Sequence, residues 1–260
     1  MQIYPFELEF KCYDTETPYF ASFPFIADNT PVNGISCGIS SRFAGNMRLG
    51  SFDANSAYPK ETPKRLVLFD KLGLNADCVY GVKQIHSHTV VEVDRSTPPA
   101  IPADGMICND REIALSVIVA DCLPIYLYDT ESGAFGIVHS GWKGTGIVLK
   151  ALRLMQERFS ARPQAVAAVL GPCIDSCCYK VDAGRAKSFE KEFGQASVRN
   201  CGGDFYLDLK TANIRLLENA GVRDIAVCGN CTFTDERLGS FRREGPENYT
   251  HMAALIWVFR

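Results

Sequence analysis

The amino-acid sequence predicts an α+β fold, in which mixed β-sheets are layered with helices in a single compact domain over residues 1–260. Three observations support this fold class. Apolar residues make up 47% of the 260 residues, which is ample for a buried core. Strand-like apolar runs and amphipathic helical segments are mixed without a regular βαβ rhythm. Finally, no repeat, low-complexity tract or long Pro- or Gly-rich linker divides the chain.

The first part of the chain is predicted to form mainly strands and loops. Residues 1–60 are rich in turns and contain short apolar patches, which indicate short strands. A short amphipathic helix is predicted at 63–73, where a glycine ends it. Residues 79–93 are predicted to be extended because β-branched residues surround a pair of histidines.

Buried strands alternate with helices in the rest of the chain. The apolar run at 113–128 is predicted to be a buried strand. Pro124 lacks an amide hydrogen, so regular pairing is expected to end just after Cys122. Further strands are predicted at 134–139, 165–170, 222–228 and 252–259, and helices at 145–159, 182–193 and 209–220.

The charge balance limits the class of partner. The formal net charge is -3 and no basic run occurs, which argues against a nucleic-acid groove or an anionic membrane surface. No segment approaches the roughly 18 apolar residues that span a bilayer, and the first residues do not resemble a secretory signal. We therefore expect a cytoplasmic protein whose 11 cysteines are free thiols or metal ligands. The oligomeric state is not indicated.

Three potential metal ligands lie at the ends of predicted buried strands. His86 and His88 would face the same side of a strand, being two residues apart. Cys122, beside Asp121, interrupts one apolar run, and His139 ends another. Two histidines and a cysteine suit zinc, and three protein ligands leave a fourth position for water or substrate. The alternatives of surface histidines and a buried inert thiol stay open at this point.

Several short motifs occur in a fixed order along the chain. They resemble the purine nucleoside phosphorylase family, also known as multicopper polyphenol oxidoreductases or laccase-domain proteins, which includes peptidoglycan editing factors. The resemblance spans about residues 37–243. Its motifs are S-R-F at 41–43, N-M-R-L-G at 46–50, Q-x-H at 84–86, A-D-G-x-I at 103–107, A-D-C-L-P at 120–124, H-S-G-W-K-G at 139–144, G-P-x-I…C-C-Y-x-V at 171–181, C-T at 231–232 and S-F-R-R at 240–243.

The resemblance implies a function as well as a fold. It implies a zinc ion held by His86, Cys122 and His139, the positions that match the family's metal ligands. It also implies phosphorolysis of adenosine, inosine, guanosine and methylthioadenosine, and deamination of adenosine. Arg42, which matches the arginine of the family's T-x-R, is implied to belong to the active site. The family usually has Gly-Arg shortly after S-Y-R-R, where this chain reads Y-T-H-M at 249–252. If that arginine binds an anion in relatives, either Arg242, Arg243 or His251 substitutes for it here or phosphate is handled differently.

The two reactions need different groups. Zinc lowers the pKa of a bound water to about 7 and acts as a Lewis acid. Deamination also needs a proton shuttle, for which Asp121 and His88 are candidates, with a structural role as the alternative for each.

Phosphorolysis needs positive charge around the phosphate. Arg42, Lys143 and Arg242 are the candidate side chains. The backbone amides of the turn at 141–146, Gly144 among them, are expected to help because a helix start favours anions.

Three other functions use the same residues. The first is a copper-dependent polyphenol oxidase, but four histidines cannot supply both a blue-copper site and an oxygen-reducing cluster. The second is a hydrolase or amidase acting on peptidoglycan precursors, with Cys122 as nucleophile and a histidine as base. The third is a non-enzymatic protein whose structural zinc is closed by a fourth ligand such as His88.

Overall fold

The computed structural model of the protein describes residues 1–13, 16–49, 62–98 and 101–259. The strands in chain order are β1 (Gln2–Phe6), β2 (Phe10–Cys12), β3 (Pro18–Phe23), β4 (Ile26–Ala27), β5 (Thr30–Pro31), β6 (Ile35–Ser40), β7 (Val79–Gly81), β8 (Val90–Glu92), β9 (Gly105–Cys108), β10 (Ala114–Val119), β11 (Leu123–Asp129), β12 (Phe135–Ser140), β13 (Val166–Leu170), β14 (Lys180–Val181), β15 (Val198–Cys201), β16 (Asp204–Leu207), β17 (Asp224–Cys228) and β18 (Met252–Val258). The α-helices are α1 (Pro63–Lys71), α2 (Ile147–Phe159), α3 (Ala183–Phe193), α4 (Leu209–Asn219) and α5 (Phe241–Glu244). Short 3-10 helices lie at Arg42–Ala44, Ala76–Cys78, Pro163–Ala165 and Gln195–Ser197.

Two large mixed sheets form the centre of the fold. The seven-stranded sheet has the order β1-β17-β13-β11-β12-β9-β8, and the six-stranded sheet has the order β2-β3-β6-β18-β10-β7. In the first, β13 and β17 are parallel, whereas β11 is antiparallel to β12 and β13. In the second, β10 is antiparallel to β18 and parallel to β7. Smaller sheets join β14-β16-β15 and β4-β5.

The two large sheets pack face to face, and helices cover their outer faces. Along β12, Phe135 and Ile137 face the core between the sheets, whereas Val138 faces α2, α3 and α4. On the opposite side, α1 packs through Leu68 and Phe69 onto the outer face of the six-stranded sheet. Because each large sheet is buried on both faces, its strands contain near-continuous apolar runs.

The predicted fold class, an α+β fold of mixed sheets layered with helices in one compact domain, is confirmed. The predicted helices and the later strands lie within two residues of their predicted bounds, and strands and loops occupy the described part of residues 1–60. Parts of that prediction, at 14–15 and 50–60, lie outside the described residues. Within the described residues, none of the helices is both long and apolar enough to cross a bilayer.

The apolar run at 113–128 is strand as predicted, but the predicted position of its break, just after Cys122, was wrong. This run forms β10 and β11, which belong to different sheets, and the chain passes between them at 120–122. Asp121 adopts a left-handed backbone conformation there, with φ of 89°. Regular pairing therefore stops before Cys122 and resumes just after it. Pro124 lies inside β11, where its carbonyl accepts a hydrogen bond of 3.0 Å from the amide of Gly171.

Candidate metal centre and the cleft beside it

Three side chains that are distant in sequence meet at one edge of the seven-stranded sheet. The ligand atoms of His86, Cys122 and His139 all lie within 4.8 Å of one another. The two imidazole rings have centroids 5.0 Å apart and planes inclined at 74°. His139 is buried, Cys122 is half-buried and His86 is exposed. The sequence-predicted ligands are therefore brought together, within reach of a single ion and of solvent.

The pairing of β11 with β12 explains two of the three positions. Leu123, the first residue of β11, pairs with Ser140, the last residue of β12. Cys122 precedes Leu123 and His139 precedes Ser140, so in this antiparallel register the two residues are diagonal neighbours across the pair. An antiparallel hairpin between two buried strands thus fixes the relative positions of the sulfur and the imidazole.

His86 reaches the centre from a turn and not from a strand. The predicted extended segment at 79–93 forms strands only at Val79–Gly81 and Val90–Glu92. His86 has a left-handed φ of 58°, and its ring lies beside that of His139. His88 instead has its Nε2 atom 3.0 Å from the carbonyl oxygen of Thr145. The prediction that His86 and His88 project together from one strand was therefore wrong.

Asp104, which sequence reasoning did not single out, holds this turn against His139. Its fully buried carboxylate accepts hydrogen bonds from the backbone amides of Ile85, His86 and Ser87, at 3.2, 3.0 and 2.6 Å. It also accepts a bond of 2.8 Å from the Ser87 hydroxyl. The fifth contact, 2.9 Å long, joins Asp104 Oδ1 to His139 Nδ1.

The electrostatics of Asp104 follow from these contacts. Burial by itself raises the pKa of a carboxyl group, but the hydrogen bonds from His139 and Ser87 outweigh burial and lower the pKa of Asp104 to about 2. The sequence did carry a signal, because Asp104 stands in the apolar stretch I-P-A-D-G-M-I-C and a buried acid requires partners. A carboxylate that orients a histidine in this way is the usual support of a metal ligand.

Cys122 and His139 perturb one another in the metal-free chain. Burial alone would raise the pKa of the Cys122 thiol, yet the neighbouring His139 and His86 lower it to about 6. Burial alone would lower the pKa of His139, yet Cys122 and Asp104 raise it to about 9. Both shifts favour a thiolate beside an imidazolium. A thiolate is the form of cysteine that binds a metal ion.

Gly141 leaves space beside the sulfur. A Cβ atom at this position would lie 2.8 Å from Cys122 Sγ and 3.8 Å from the His86 ring. Any side chain here would therefore crowd the sulfur of Cys122 and the ring of His86. Two imidazoles and one thiolate around an open space fit zinc, which commonly takes three protein ligands and leaves one position open.

A cleft of about 470 Å³ opens beside the centre. Its lining combines aromatic rings, two arginines and the three candidate ligands. The lining residues are Gln84, His86, Ile118, Ala120, Asp121, Cys122, His139, Gly141, Trp142, Ile174, Tyr179, Arg185, Leu209, Phe241, Arg242, Tyr249 and His251.

Two arginines line the cleft, and only one of them was indicated by the sequence. Arg242 lines it, and its guanidinium lies 5.1 Å from the centroid of the Tyr179 ring. Arg185, on α3, was missed because nothing in an ordinary helical segment marks it. Its guanidinium lies 4.5 Å from the centroid of Trp142. Aromatic rings thus support both guanidinium groups.

Three other predicted phosphate or active-site residues lie elsewhere. Arg42 is absent from the described lining of the cleft, and its Nη1 atom is 3.5 Å from Glu244 Oε1. Lys143 is also absent from that lining, and its exposed ammonium lies 5.6 Å from the Trp142 centroid. The amide of Gly144 donates to the carbonyl of Gly141 at 3.0 Å, so it is used inside the turn.

Asp121 is held in place through both carboxylate oxygens. Oδ1 accepts a hydrogen bond of 2.6 Å from the Thr232 hydroxyl, and Oδ2 accepts one of 2.8 Å from the amide of Arg242. Asp121 thereby ties the loop before Cys122 to the start of α5. These contacts favour the structural alternative over the proton shuttle.

Comparison with known proteins identifies the family. A family model described as multi-copper polyphenol oxidoreductase laccase matches residues 36–259, and the chain belongs to this family. A protein named purine nucleoside phosphorylase from Corynebacterium glutamicum is 34% identical over 201 residues, covering 74% of this chain and 78% of that protein. One of the same name from Mycobacterium bovis is 30% identical over 190 residues, covering 72% and 75%. The resemblance based on the ordered motifs is confirmed.

The fold is also found in solved structures. The crystal structure of YlmD from Geobacillus stearothermophilus matches with a TM-score of 0.80 at 25% identity, over 96% of this chain and 99% of that chain. The similarity therefore extends over almost the whole described structure, including both large sheets.

Proposed function

We propose that this protein is a zinc-dependent purine nucleoside phosphorylase that also deaminates adenosine. The observation that carries the proposal is the meeting of His86, Cys122 and His139 within 4.8 Å at a cleft lined by two arginines and several aromatic rings. The names of the relatives support the phosphorylase part of this proposal. The proposed nucleosides are adenosine, inosine, guanosine and methylthioadenosine.

The residues around the centre suit a catalytic zinc. Asp104 engages Nδ1 of His139, which leaves the Nε2 atom of that ring free to bind a metal. The ring of His88 contacts Thr145 instead, so it does not close the site as a fourth ligand. When bound, zinc supplies Lewis acidity and lowers the pKa of a bound water to about 7.

The two arginines are the proposed phosphate ligands. In phosphorolysis a phosphate oxygen forms a bond to C1′ of the ribose while the bond from C1′ to the purine nitrogen breaks. The purine leaves with the electron pair of that bond and takes up a proton. Arg185 and Arg242 both line the cleft, and guanidinium groups bind phosphate through paired hydrogen bonds. They replace Arg42 and Lys143 in the proposed role.

An aromatic wall is the proposed site for the purine ring. The centroids of Phe241 and Tyr249 are 5.0 Å apart, and those of Tyr249 and His251 are 4.5 Å apart. All three residues line the cleft, and flat rings of this kind stack on bases. The buried Nδ1 atom of His251 has no hydrogen-bond partner among the described residues. Burial lowers the pKa of His251 to about 4, so its imidazole is neutral near pH 7.

A hydrolase remains the second candidate for a specific reason. Cys122, His139 and Asp104 are arranged as a nucleophile, a base and a carboxylate that orients the base. Such a triad would act on an amide of a peptidoglycan precursor without metal. The same three residues therefore serve both proposals, and only metal dependence separates them.

A product assay tests the proposed function. Purified protein is incubated with adenosine, with and without phosphate, and the products are separated by chromatography. Adenine and ribose 1-phosphate are expected only with phosphate, whereas inosine is expected in both cases. A chelator and the Cys122→Ala substitution should each abolish all products, and Cys201→Ser, at an exposed thiol far along the chain, should not.

Several outcomes would overturn the proposal. Full activity in the metal-free chain would favour the cysteine hydrolase. Oxygen uptake with phenols that requires copper at the Cys122 centre would favour the oxidase. If protein that carries one zinc ion per chain forms neither adenine nor inosine from adenosine, both proposed reactions are excluded.

A further inference from the structure

A second group of thiols lies outside the centre described above. The sulfur atoms of Cys177, Cys178 and Cys231 lie within 4.8 Å of one another, and we call these three residues the thiol cluster. The Sγ atoms of Cys177 and Cys178 are 3.3 Å apart. Cys177 is exposed, Cys178 is half-buried and Cys231 is buried. The cluster therefore extends from the surface into the protein.

The parallel pairing of β13 with β17 creates the cluster. The register of these strands places Leu170 beside Val227, so the loops that follow them leave the sheet at the same edge. Beyond the strands, Cys173 and Cys231 still pair through an isolated parallel bridge. A turn then brings Cys178 back towards this edge, because its amide donates to the carbonyl of Asp175 at 2.9 Å.

A backbone amide and a lysine–carboxylate ion pair lie beside the buried end of the thiol cluster. The amide of Asp175 donates to Cys231 Sγ at 3.4 Å, a contact that stabilises a thiolate. Lys210 Nζ lies 2.8 Å from Asp175 Oδ1, so the nearby carboxylate is compensated.

We propose that the thiol cluster binds one Cu(I) ion through the sulfur atoms of Cys177, Cys178 and Cys231. Each thiol that binds the ion releases its proton to solvent, and neither the metal nor the sulfur changes oxidation state. This site is separate from the His86–Cys122–His139 centre and does not depend on the function proposed for it.

The ligand set is the reason for choosing Cu(I). Thiolates are soft ligands that select Cu(I), whereas imidazole and carboxylate groups suit harder divalent ions. Structural zinc sites almost always have four protein ligands. Within the described residues, no histidine, fourth cysteine or carboxylate joins the three sulfurs. Exposure of Cys177 gives the ion a route from solvent to the buried Cys231.

Two residues of the thiol cluster are each followed directly by a residue that belongs to the cleft or contacts its lining. Tyr179 follows Cys178 and lines the cleft beneath Arg242. Thr232 follows Cys231, and its hydroxyl donates to Asp121 at 2.6 Å. An ion that links the two loops would therefore hold two walls of the cleft in a fixed position.

An anaerobic titration tests the proposal. The reduced chain with Cys122→Ser, which disables the other centre, is titrated with Cu(I) in competition with a chromophoric Cu(I) chelator. This variant is expected to retain one Cu(I) equivalent, and X-ray absorption should show copper bound only to sulfur. Adding Cys177→Ser, at an exposed position, should remove that equivalent. Adding Cys231→Ser should do the same.

The matched control adds Cys201→Ser, since Cys201 is an exposed thiol outside the cluster. It should leave the Cu(I) equivalent unchanged, and circular dichroism should show the same fold for all variants. Retention of copper by the Cys177→Ser variant would overturn the proposal. Failure of the Cys122→Ser parent to retain copper would do so too, as would a disulfide among the three cysteines in protein kept reduced.

Discussion

Asp104 Oδ1 and His139 Nδ1 lie 2.9 Å apart in a fully buried pair at the edge of the seven-stranded sheet. The same carboxylate accepts the backbone amides of the turn that carries His86. One acidic residue thus sets the direction of one proposed ligand and the backbone position of another. This dual role makes Asp104 the residue whose loss should most affect the geometry of the centre without removing a ligand.

We expect Asp104→Asn to weaken zinc binding by about 10–100-fold, the range typical of residues that support metal ligands. The amide of asparagine would also place donors against backbone N–H groups, at a cost of about 1–3 kcal/mol in unfolding free energy. Competition titration with a zinc chelator and chemical denaturation measure the two effects. Asp94→Asn is the control, because Asp94 also accepts several loop hydrogen bonds but is exposed. Unchanged zinc affinity in Asp104→Asn would contradict the orienting role.

Gly141→Ala should remove zinc while leaving the fold intact. The added methyl group would lie 2.8 Å from Cys122 Sγ, inside the space that the ion needs. Metal analysis of the purified variant and its circular dichroism spectrum provide the measurement. Gly184→Ala is the matched control, because Gly184 is exposed in the first turn of α3 and an added Cβ would approach only Asp182 Oδ1, at 3.2 Å. Normal zinc content in Gly141→Ala would show that the ion lies elsewhere.

The thiol of Cys122 should titrate near pH 6 in the metal-free chain. Ultraviolet absorbance of the thiolate measures this midpoint, and the signal should vanish in Cys122→Ser. His139→Gln should move the midpoint upward, because it removes the positive charge that lowers the pKa. A midpoint near the ordinary thiol pKa in the unaltered chain would contradict the ion pair.

The stability of the metal-free chain should change little over the same pH range. A thiol pKa lowered from 9.0 to about 6 makes unfolding free energy rise with pH between those values. An imidazole pKa raised from 6.5 to about 9 makes it fall between those values. Because Cys122 and His139 have opposite slopes, their sum is nearly flat from about pH 6.5 to 9. Urea denaturation across this range checks the cancellation, and a steep slope that disappears in the Cys122→Ser variant would contradict it.

Arg185→Gln should raise the KM for phosphate about tenfold or more, because a charge-assisted contact is lost. The KM for inosine should change less, since the aromatic wall is unaltered. Initial rates at varied phosphate concentration measure the effect. Arg153→Gln serves as the control, because Arg153 is an exposed arginine paired with Glu157 on α2. An equal effect of Lys143→Gln would restore the role that the sequence indicates for that lysine.

His251→Phe should raise the KM for the nucleoside about tenfold and leave the KM for phosphate unchanged. The substitution keeps an aromatic ring beside Tyr249 but removes the unpartnered Nδ1 atom. Loss of one hydrogen bond to a substrate costs about 1–1.5 kcal/mol, which corresponds to this change. Saturation kinetics with each substrate separate the two constants, and unchanged nucleoside KM would assign His251 to packing alone.

Residue chemistry and local pattern determined much of this protein from its sequence. The β-branched runs and amphipathic segments indicated the fold class and most element bounds, because burial on one face gives a periodic apolar pattern and burial on both faces gives a continuous apolar run. His86, Cys122 and His139 stood out as candidate ligands at the ends of apolar strands, and the resemblance to the family implied that they hold one ion. The ordered motifs indicated the family.

Only the tertiary structure decided how those elements face one another. The break at Asp121 divides one apolar run between two sheets. The turn at His86 directs that residue away from His88. Both features depend on left-handed backbone conformations. Arg185 lines the cleft because of the way α3 packs. The polar helical sequence around Arg185 gives no local signal of that packing. Asp104 meets His139 across 35 residues of sequence, and such contacts are fixed by the register of the sheet rather than by local composition.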